Sequence, residues 1–441
     1  MAGLTAARDL AEAGCDVLLL EATDRVGGKL RAGQVAGVSV DVGAEAMLHR
    51  RVEGTTLARE LGLPVVHPTT ATSRVWTRDA LRPLPRTMMG APVDLDQLAA
   101  SGILSAEGLR AARGSAPSAV ATAPGEDPSV GNLVARRFGE EVVDRLVEPL
   151  LGGVYAGQAR RISARAAAPQ LVALIAEDHF SLPPVPADAP PVFAGLAGGM
   201  WQLPAGLEAD LRGRPGVEIR YGATATAVHR TGAGFRLTMT GGTETGDLLV
   251  LATPAAPSAR LLAALVPVAA DELRQIGYAS VALATLAFRA DDPGVGEALE
   301  VGASGFLVPP VDSRRIKAAT FSFAKWAWVR EAGHGLLIVR ASLGRFGEER
   351  SLQTSEEALI AAAREDLRLA TGLAATPVDT HLQRWGGGLP QYWTGHLDRI
   401  ARIRSAIAGV GGLAVCGAAY DGVGVPATIG SAHRAVADLL G

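Results

Sequence analysis

The residues that could do chemistry lie toward the two ends of the chain. Glu21 ends a short apolar run, and Arg25-Val26-Gly27-Gly28-Lys29 and Asp41-Val42-Gly43-Ala44-Glu45 follow it. A carboxylate at the tip of a buried strand accepts hydrogen bonds from a ribose hydroxyl, so Glu21 points to a nucleotide. A lone Gly-Gly usually marks only a turn, and the ordered set carries more weight than any member. At the far end, Leu413-Ala414-Val415-Cys416-Gly417 runs into Gly422-Val423-Gly424-Val425-Pro426. A strand, a glycine turn and a helix beginning there place a positive helix terminus where an electron-rich group is stabilised.

The elements that must position these residues follow from the pattern. Ala2 to Ala13 carries Leu4, Ala7, Leu10 and Ala11 on one stripe, with Arg8, Asp9 and Glu12 outside it, so a helix is predicted. Gly14 stops it. Val17-Leu18-Leu19-Leu20 is an apolar run of the kind found in a parallel sheet covered on both faces. Helix, turn, strand and terminal acid make the second half of a dinucleotide-binding βαβ unit. The chain opens inside that motif, at its last glycine, Gly3. A start assigned too far downstream, at a GTG codon read as Met1, is the expected reason, with a truncated form as the alternative.

An acid, then Arg-x-Gly-Gly-Lys, then Asp-x-Gly-x-Glu resembles the flavin amine oxidase and protoporphyrinogen oxidase superfamily. Four later stretches keep the order of protoporphyrinogen oxidases: Gly195-x-x-Gly-Gly-Met-x-x-Leu-Pro, Leu251-Ala-Thr-Pro, Leu389-Pro-Gln-Tyr with Gly395-His396, and Gly417 to Pro426. Leu307-Val-Pro-Pro, Arg315-Ile-Lys-Ala-Ala-Thr-Phe and Lys325-Trp326 resemble the Gram-positive bacterial branch, which is associated with coproporphyrinogen III oxidation. The resemblance implies an α/β (α+β overall) fold: a Rossmann-like FAD-binding domain lacking its first strand, a sheet-containing substrate domain and a helical insert. It implies FAD as cofactor, with Gly3 and Gly28 close to its diphosphate and Glu21 on its ribose. Arg25 and Lys29 would neighbour the phosphates and ribityl chain, and Gly43, Ala44 and Glu45 the isoalloxazine. Val228 would hold adenine through its backbone, Trp385 would border the flavin, Gly417 would bind the cofactor, and Val423, Gly424 and Val425 would approach the ring's pyrimidine end. The missing glycine loop and Ala46, where Ser is common, depart from the family pattern.

The 441 residues suggest two or three domains or subdomains, and a formal net charge of -3 gives no basic surface for nucleic acid. Cys15 and Cys416, far apart in apolar runs, read as reduced core thiols, which suits a cytoplasmic protein. No secretory signal is visible in residues 1–13. The most apolar long segment, Leu248 to Ala270, is broken by Pro254, Pro257, Arg260 and Pro267. A peripheral membrane contact stays open.

Along the chain, 54–64 reads as a short helix, and Arg74 to Thr77 with Leu81 to Pro85 as a hairpin turning at Arg78-Asp79. Residues 92 to about 180 are helical, with Phe138, Val142, Leu146 and Leu150 on one face and a loop at Ser115 to Pro128. The proline-dense 181–192 is a connector. Strands Ser280–Phe288, Ala318–Phe323 and Gly335–Leu343 and a helix near 355–370 form a second sheet domain, and a helix from Ala427 to Leu440 closes the chain. The expected division is cofactor domain 1–72, 193–275 and 393–441, substrate domain 73–91 and 276–392, and helical insert 92–192.

The implied reaction is a six-electron oxidation of a porphyrinogen, with hydride passing to flavin and oxygen released as hydrogen peroxide. The flavin does the hard step, so no catalytic side chain and no metal ligand is assigned. Substrate carboxylates need cations, preferably Arg. Arg74 is the candidate for a propionate, and a solvated surface arginine is its alternative. His396 is read mainly as a loop residue and Lys325 as a surface partner of Trp326. Expected partners are the porphyrinogen, molecular oxygen and a downstream haem-pathway enzyme that receives the product. Protoporphyrinogen IX is the rival substrate, and an amine oxidase is disfavoured by only five Tyr and six Trp. A chain unable to hold flavin, which only binds porphyrin or a partner, is the non-catalytic reading.

Overall fold

The structure, a computed structural model, describes residues 1–114, 125–175, 186, 189–232 and 234–441. Most of the expected loop at 115–128 and most of the connector at 181–192 lie outside them.

The opening helix spans Ala2–Glu12, and Gly14 (φ 84°) ends it as its position demands. The strand Val17–Leu20 pairs in parallel with Val217–Arg220. A second parallel pair joins Leu249–Leu251 to Leu413–Val415. The opening helix packs on both pairs, through Leu4 and Ala7 toward the first and Ala2 and Ala6 toward the second. The closing helix, Val425–Leu440, lies against it and shares the Ala432, Ala435 and Val436 cluster. Val17–Leu20 is half-buried throughout, whereas its apolar run predicts burial on both faces. Among the described residues it pairs along one edge only, so no strand covers its other side. Cys416 is fully buried, but Cys15, placed at the end of the helix turn, is only half-buried.

The second layer is a seven-stranded sheet in the order Asp379–Pro390, Tyr278–Arg289, Leu336–Leu343, Ile316–Phe321, Ala303–Leu307, Thr72–Thr77, Ala80–Pro83. All neighbours are antiparallel except Ala303–Leu307 with Thr72–Thr77. The hairpin at 72–83, distant in sequence, therefore completes this sheet. Arg78 and Asp79 both have positive φ (50° and 56°), as a two-residue hairpin turn matched to strand twist requires. One sheet face is apolar, with Trp76, Phe306, Phe321, Val339 and Phe288, and is covered by the helix Glu356–Thr371. The opposite, inner face looks toward the 41–45 turn and the helical region.

That region runs from Leu95 to Ile175 around its own core. Phe138, Val142 and Leu146 are buried as the spacing predicts, but Leu150 is only half-buried and Leu151 takes its place. The cause is a π-helical turn at Val143–Val147, whose wider winding shifts every later side chain by about one position. The closing helix likewise begins at Val425, two residues before the expected Ala427, because Pro426 suits the first helical turn.

Candidate functional site

The site is built around the turn that follows Val38–Asp41. Gly43 occupies it because a Cβ there would stand 1.8 Å from the Lys29 carbonyl oxygen. Ala44 N–H donates to that same oxygen at 3.2 Å. Trp385 Nε1 donates to Val42 O at 2.9 Å, and Arg340 Nη2 donates to Gly43 O at 2.6 Å. The Glu45 carboxylate accepts from Lys325 Nζ at 2.7 Å, from Arg340 Nη1, and from Ser322 Oγ at 3.3 Å. Burial pushes the Glu45 carboxyl upward, and the charges of Lys325 and Arg340 outweigh it and bring the pKa down to about 2. Asp41 accepts from Met200 N–H (2.8 Å) and Trp201 N–H (3.1 Å), yet burial raises its pKa to about 7. The turn is thus tied to the seven-stranded sheet by one tryptophan and a buried Lys–Glu–Arg cluster.

Sequence reasoning placed Lys325 beside Trp326 on the surface. The ammonium is indeed 5.4 Å from that ring, but its partner is Glu45 and it is mostly buried. Arg340 and Asp41 were missed as site residues. The available signal was a lone charge in Leu336-Leu337-Ile338-Val339-Arg340, a strand otherwise apolar, where an unpaired charge is too costly to keep.

At the chain's other end, Tyr392 Oη donates to Ala418 O and accepts from Gly422 N–H, both at 2.7 Å. Its ring stacks on His396 at 3.8 Å. His396 is fully buried, and burial lowers its pKa to about 4, so it is a neutral packing residue. Gly417 (φ 125°) sits where a Cβ would be 3.8 Å from Ala2 Cβ, which joins the closing turn to the start of the opening helix. Val423 and Gly424 are half-exposed in front of the closing helix, with Val423 packed against the helical region. Val425 is buried.

The remaining expected residues line up between these two turns. Gly3 passes between the two strand pairs, with Ala252 and Leu19 just beyond its missing side chain. Glu21 Oε1 accepts from Thr23 N–H at 2.9 Å and from Thr23 Oγ1 at 2.8 Å, and its second oxygen has no hydrogen-bond partner among the described residues. Arg25 donates to Val26 O and Gly28 O and so stiffens the loop in which Gly27 and Gly28 have positive φ. Val228 lies in an edge strand, Ala225–Arg230, with its side chain buried and one backbone edge free. Arg74 does not join them. It shares a sheet face with Trp76 and Phe306, the outer one, and donates to Val301 O at 3.1 Å. The hairpin alternation sends every second residue outward, and Arg74 is one of these.

An extended anionic cofactor fits this arrangement. Lys29 is half-buried with no acidic partner among the described residues, and desolvation lowers its pKa. Neither the opening nor the closing helix has a side-chain cap or an acid in its first turn, so both present free N–H groups. A carboxylate, a cation with no acidic hydrogen-bond partner among the described residues and two uncapped helix starts suit ribose and diphosphate in that order.

Parallel strand pairs, helices whose N-termini converge, and a clamped turn facing a separate sheet define a nucleotide-dependent oxidoreductase. The chain belongs to the flavin containing amine oxidoreductase family, which it matches over residues 1–440, and its cofactor is a flavin. It is 36% identical over 452 aligned residues to the coproporphyrinogen III oxidase of Mycobacterium bovis, covering 100% of this chain and 95% of that one. It is 29% identical to the enzyme of the same name from Bacillus subtilis, covering 96% and 92%. A crystal structure of a candidate protoporphyrinogen oxidase from Exiguobacterium sp. 255-15 superposes with a TM-score of 0.86 at 29% identity, covering 100% and 96%. Among the described residues no helix is long and apolar enough to cross a membrane.

Proposed function

We propose that this chain oxidises coproporphyrinogen III to coproporphyrin III, with molecular oxygen as acceptor and hydrogen peroxide as by-product, as a step of haem biosynthesis. The observation that carries the reading is the full-length 36% identity to an enzyme of that name, with the clamped 41–45 turn in place. FAD, when bound, takes up hydride from the porphyrinogen and passes electrons to oxygen. Lys29, Glu21, Gly3 and Gly28 would hold its nucleotide, with Arg25 shaping the loop. Val228 would meet adenine through its free backbone edge. Gly43, Ala44, Glu45 and Trp385 would face the ring on one side, and Gly417, Val423, Gly424 and Val425 on the other.

The protein's own work is positioning. Arg340 holds Gly43 O and Glu45 together, so the turn does not yield as substrate enters. Tyr392 fixes the spacing between Ala418 and Gly422. The sheet and the helical region exclude water. Each of three oxidation rounds removes one hydride and one proton from the tetrapyrrole and gives one peroxide. In this reading the chain is divided as its sequence suggests, with the 72–83 hairpin serving the substrate sheet. The enzyme works in the cytoplasm, touches membranes at most peripherally, and passes its product to the next haem-pathway enzyme.

The test is steady-state oxidation of coproporphyrinogen III by flavin-loaded protein, with peroxide counted. Three peroxides per coproporphyrin are expected. Preference for protoporphyrinogen IX, or porphyrin binding with no peroxide, would overturn the assignment.

A further inference from the structure

The inner face of the seven-stranded sheet carries a charge that the site above does not use. Lys317 stands at a bulge between Ile316 and Ala318, which turns its side chain inward, and Nζ donates to Ser342 Oγ at 2.6 Å. It is 5% exposed, and no carboxylate pairs with it among the described residues. The charges that face it are Arg345 and Glu348. Arg345 spends its guanidinium on Val308 O (3.2 Å) and Ile316 O (3.3 Å), stands 3.8 Å from Glu348 and also feels Asp366 and Glu148, so its charge is met while Lys317 keeps only the Ser342 hydroxyl as a direct partner. A buried ammonium without a counter-ion is costly, and a fold that keeps one commonly keeps it for a ligand. Burial lowers the amine to about 7, which agrees with an unmet need for an anion.

Ser342 accepts from Lys317, so its own hydroxyl hydrogen needs a separate acceptor, and none appears among the described residues. Ser342, Leu283, Leu307, Ala318 and Thr320 all retain half-exposure on this inner face of central strands. Side chains there keep solvent access only if a trough is left open between the sheet and the helix Glu148–Tyr155. Gly153 of that helix closes one side of it, a Cβ there lying in van der Waals contact, 3.9 Å, with Leu307 Cδ2. Along the same strand, Ser342 is two residues from Arg340, roughly 7 Å from the residue that clamps the cofactor turn.

We infer that the Ser342 hydroxyl, backed by the Lys317 ammonium, binds one carboxylate of the substrate in this trough. Ser342 donates to the carboxylate, and Lys317 polarises that donor and balances the charge. The identity of the carboxylate's bearer rests on the proposed function, and the buried Lys317–Ser342 pair itself does not.

The experiment titrates coproporphyrin III into flavin-loaded parent, Lys317→Met, Lys317→Arg and Ser342→Ala, following porphyrin fluorescence, and measures KM and kcat with coproporphyrinogen III. Lys317→Met is expected to weaken porphyrin binding and raise KM about tenfold or more, the effect of one charge-assisted hydrogen bond. kcat should stay within about twofold, and Lys317→Arg should recover most of the affinity. A Lys317→Met protein with parental Kd and KM overturns the inference. If that variant fails to fold, Ser342→Ala decides, with unchanged affinity again overturning it. A parent that binds coproporphyrin III but does not oxidise its porphyrinogen would sink the proposed function and leave the binding comparison valid.

Discussion

Glu45 ties the 41–45 turn to two other segments, through Lys325 and through Arg340. Its carboxylate is shared by Lys325 and Arg340, and removing one cation leaves a buried charge short of a partner. Arg340→Leu is expected to cost about 3 kcal/mol and to lower the melting temperature and the flavin retained on purification. Equal flavin content and melting point would show that the clamp is idle. The pH dependence separates two groups. His396 has a folded pKa near 4 against an ordinary 6.5, so the unfolded chain takes up a proton first and stability falls as pH drops below 6.5, the loss ending near 4. Glu45, depressed to about 2, contributes stability above its ordinary 4.5 and loses it only as pH falls toward 2. Of these two, His396 gives the earlier acid loss, while Asp41, raised to about 7, works in the opposite direction and gains stability as pH falls through 7 toward its ordinary 3.8, so only a His396 variant isolates the histidine. His396→Phe, which keeps the stack on Tyr392, should be more stable than the parent by about 2 kcal/mol at pH 5 relative to their difference at pH 8. Parallel denaturation curves at both pH values would contradict this.

At the scale of elements, the 41–45 turn is positioned sterically as much as by hydrogen bonds. Gly43→Ala should yield colourless protein, because the new methyl meets the Lys29 carbonyl, while Gly386→Ala on the neighbouring strand has open space and should stay yellow. Flavin absorbance of the two variants checks it, and a yellow Gly43→Ala would refute the assigned geometry. This turn was legible in the sequence because its glycines, acid and spacing are local. So were the opening helix, the hairpin and the closing strand–turn–helix, each fixed by periodicity and a stop residue. What could not be read were properties created by long-range packing. Arg340 meets Glu45 from 295 residues away, and the π-turn at Val143–Val147 leaves no periodicity signal before it shifts the register. Arg74 was misplaced for a related reason: a hairpin alternates faces, and only the packed sheet reveals which is inner.

For the molecule as a whole, the 41–45 turn is tied to the inner sheet face through Arg340 and Lys325, and the opening helix packs against the closing one. Lys29 is a half-buried cation with no acidic partner among the described residues. Lys29→Met is expected to weaken FAD binding about tenfold without lowering the melting point of the flavin-free protein. Unchanged FAD affinity would remove Lys29 from the cofactor site. The most direct test of the central claim is anaerobic rapid mixing of flavin-loaded protein with coproporphyrinogen III. The structure predicts that flavin absorbance bleaches as substrate is consumed, and that admitting oxygen restores it with coproporphyrin and peroxide. Flavin that is bound yet stays oxidised through the mixing would contradict it.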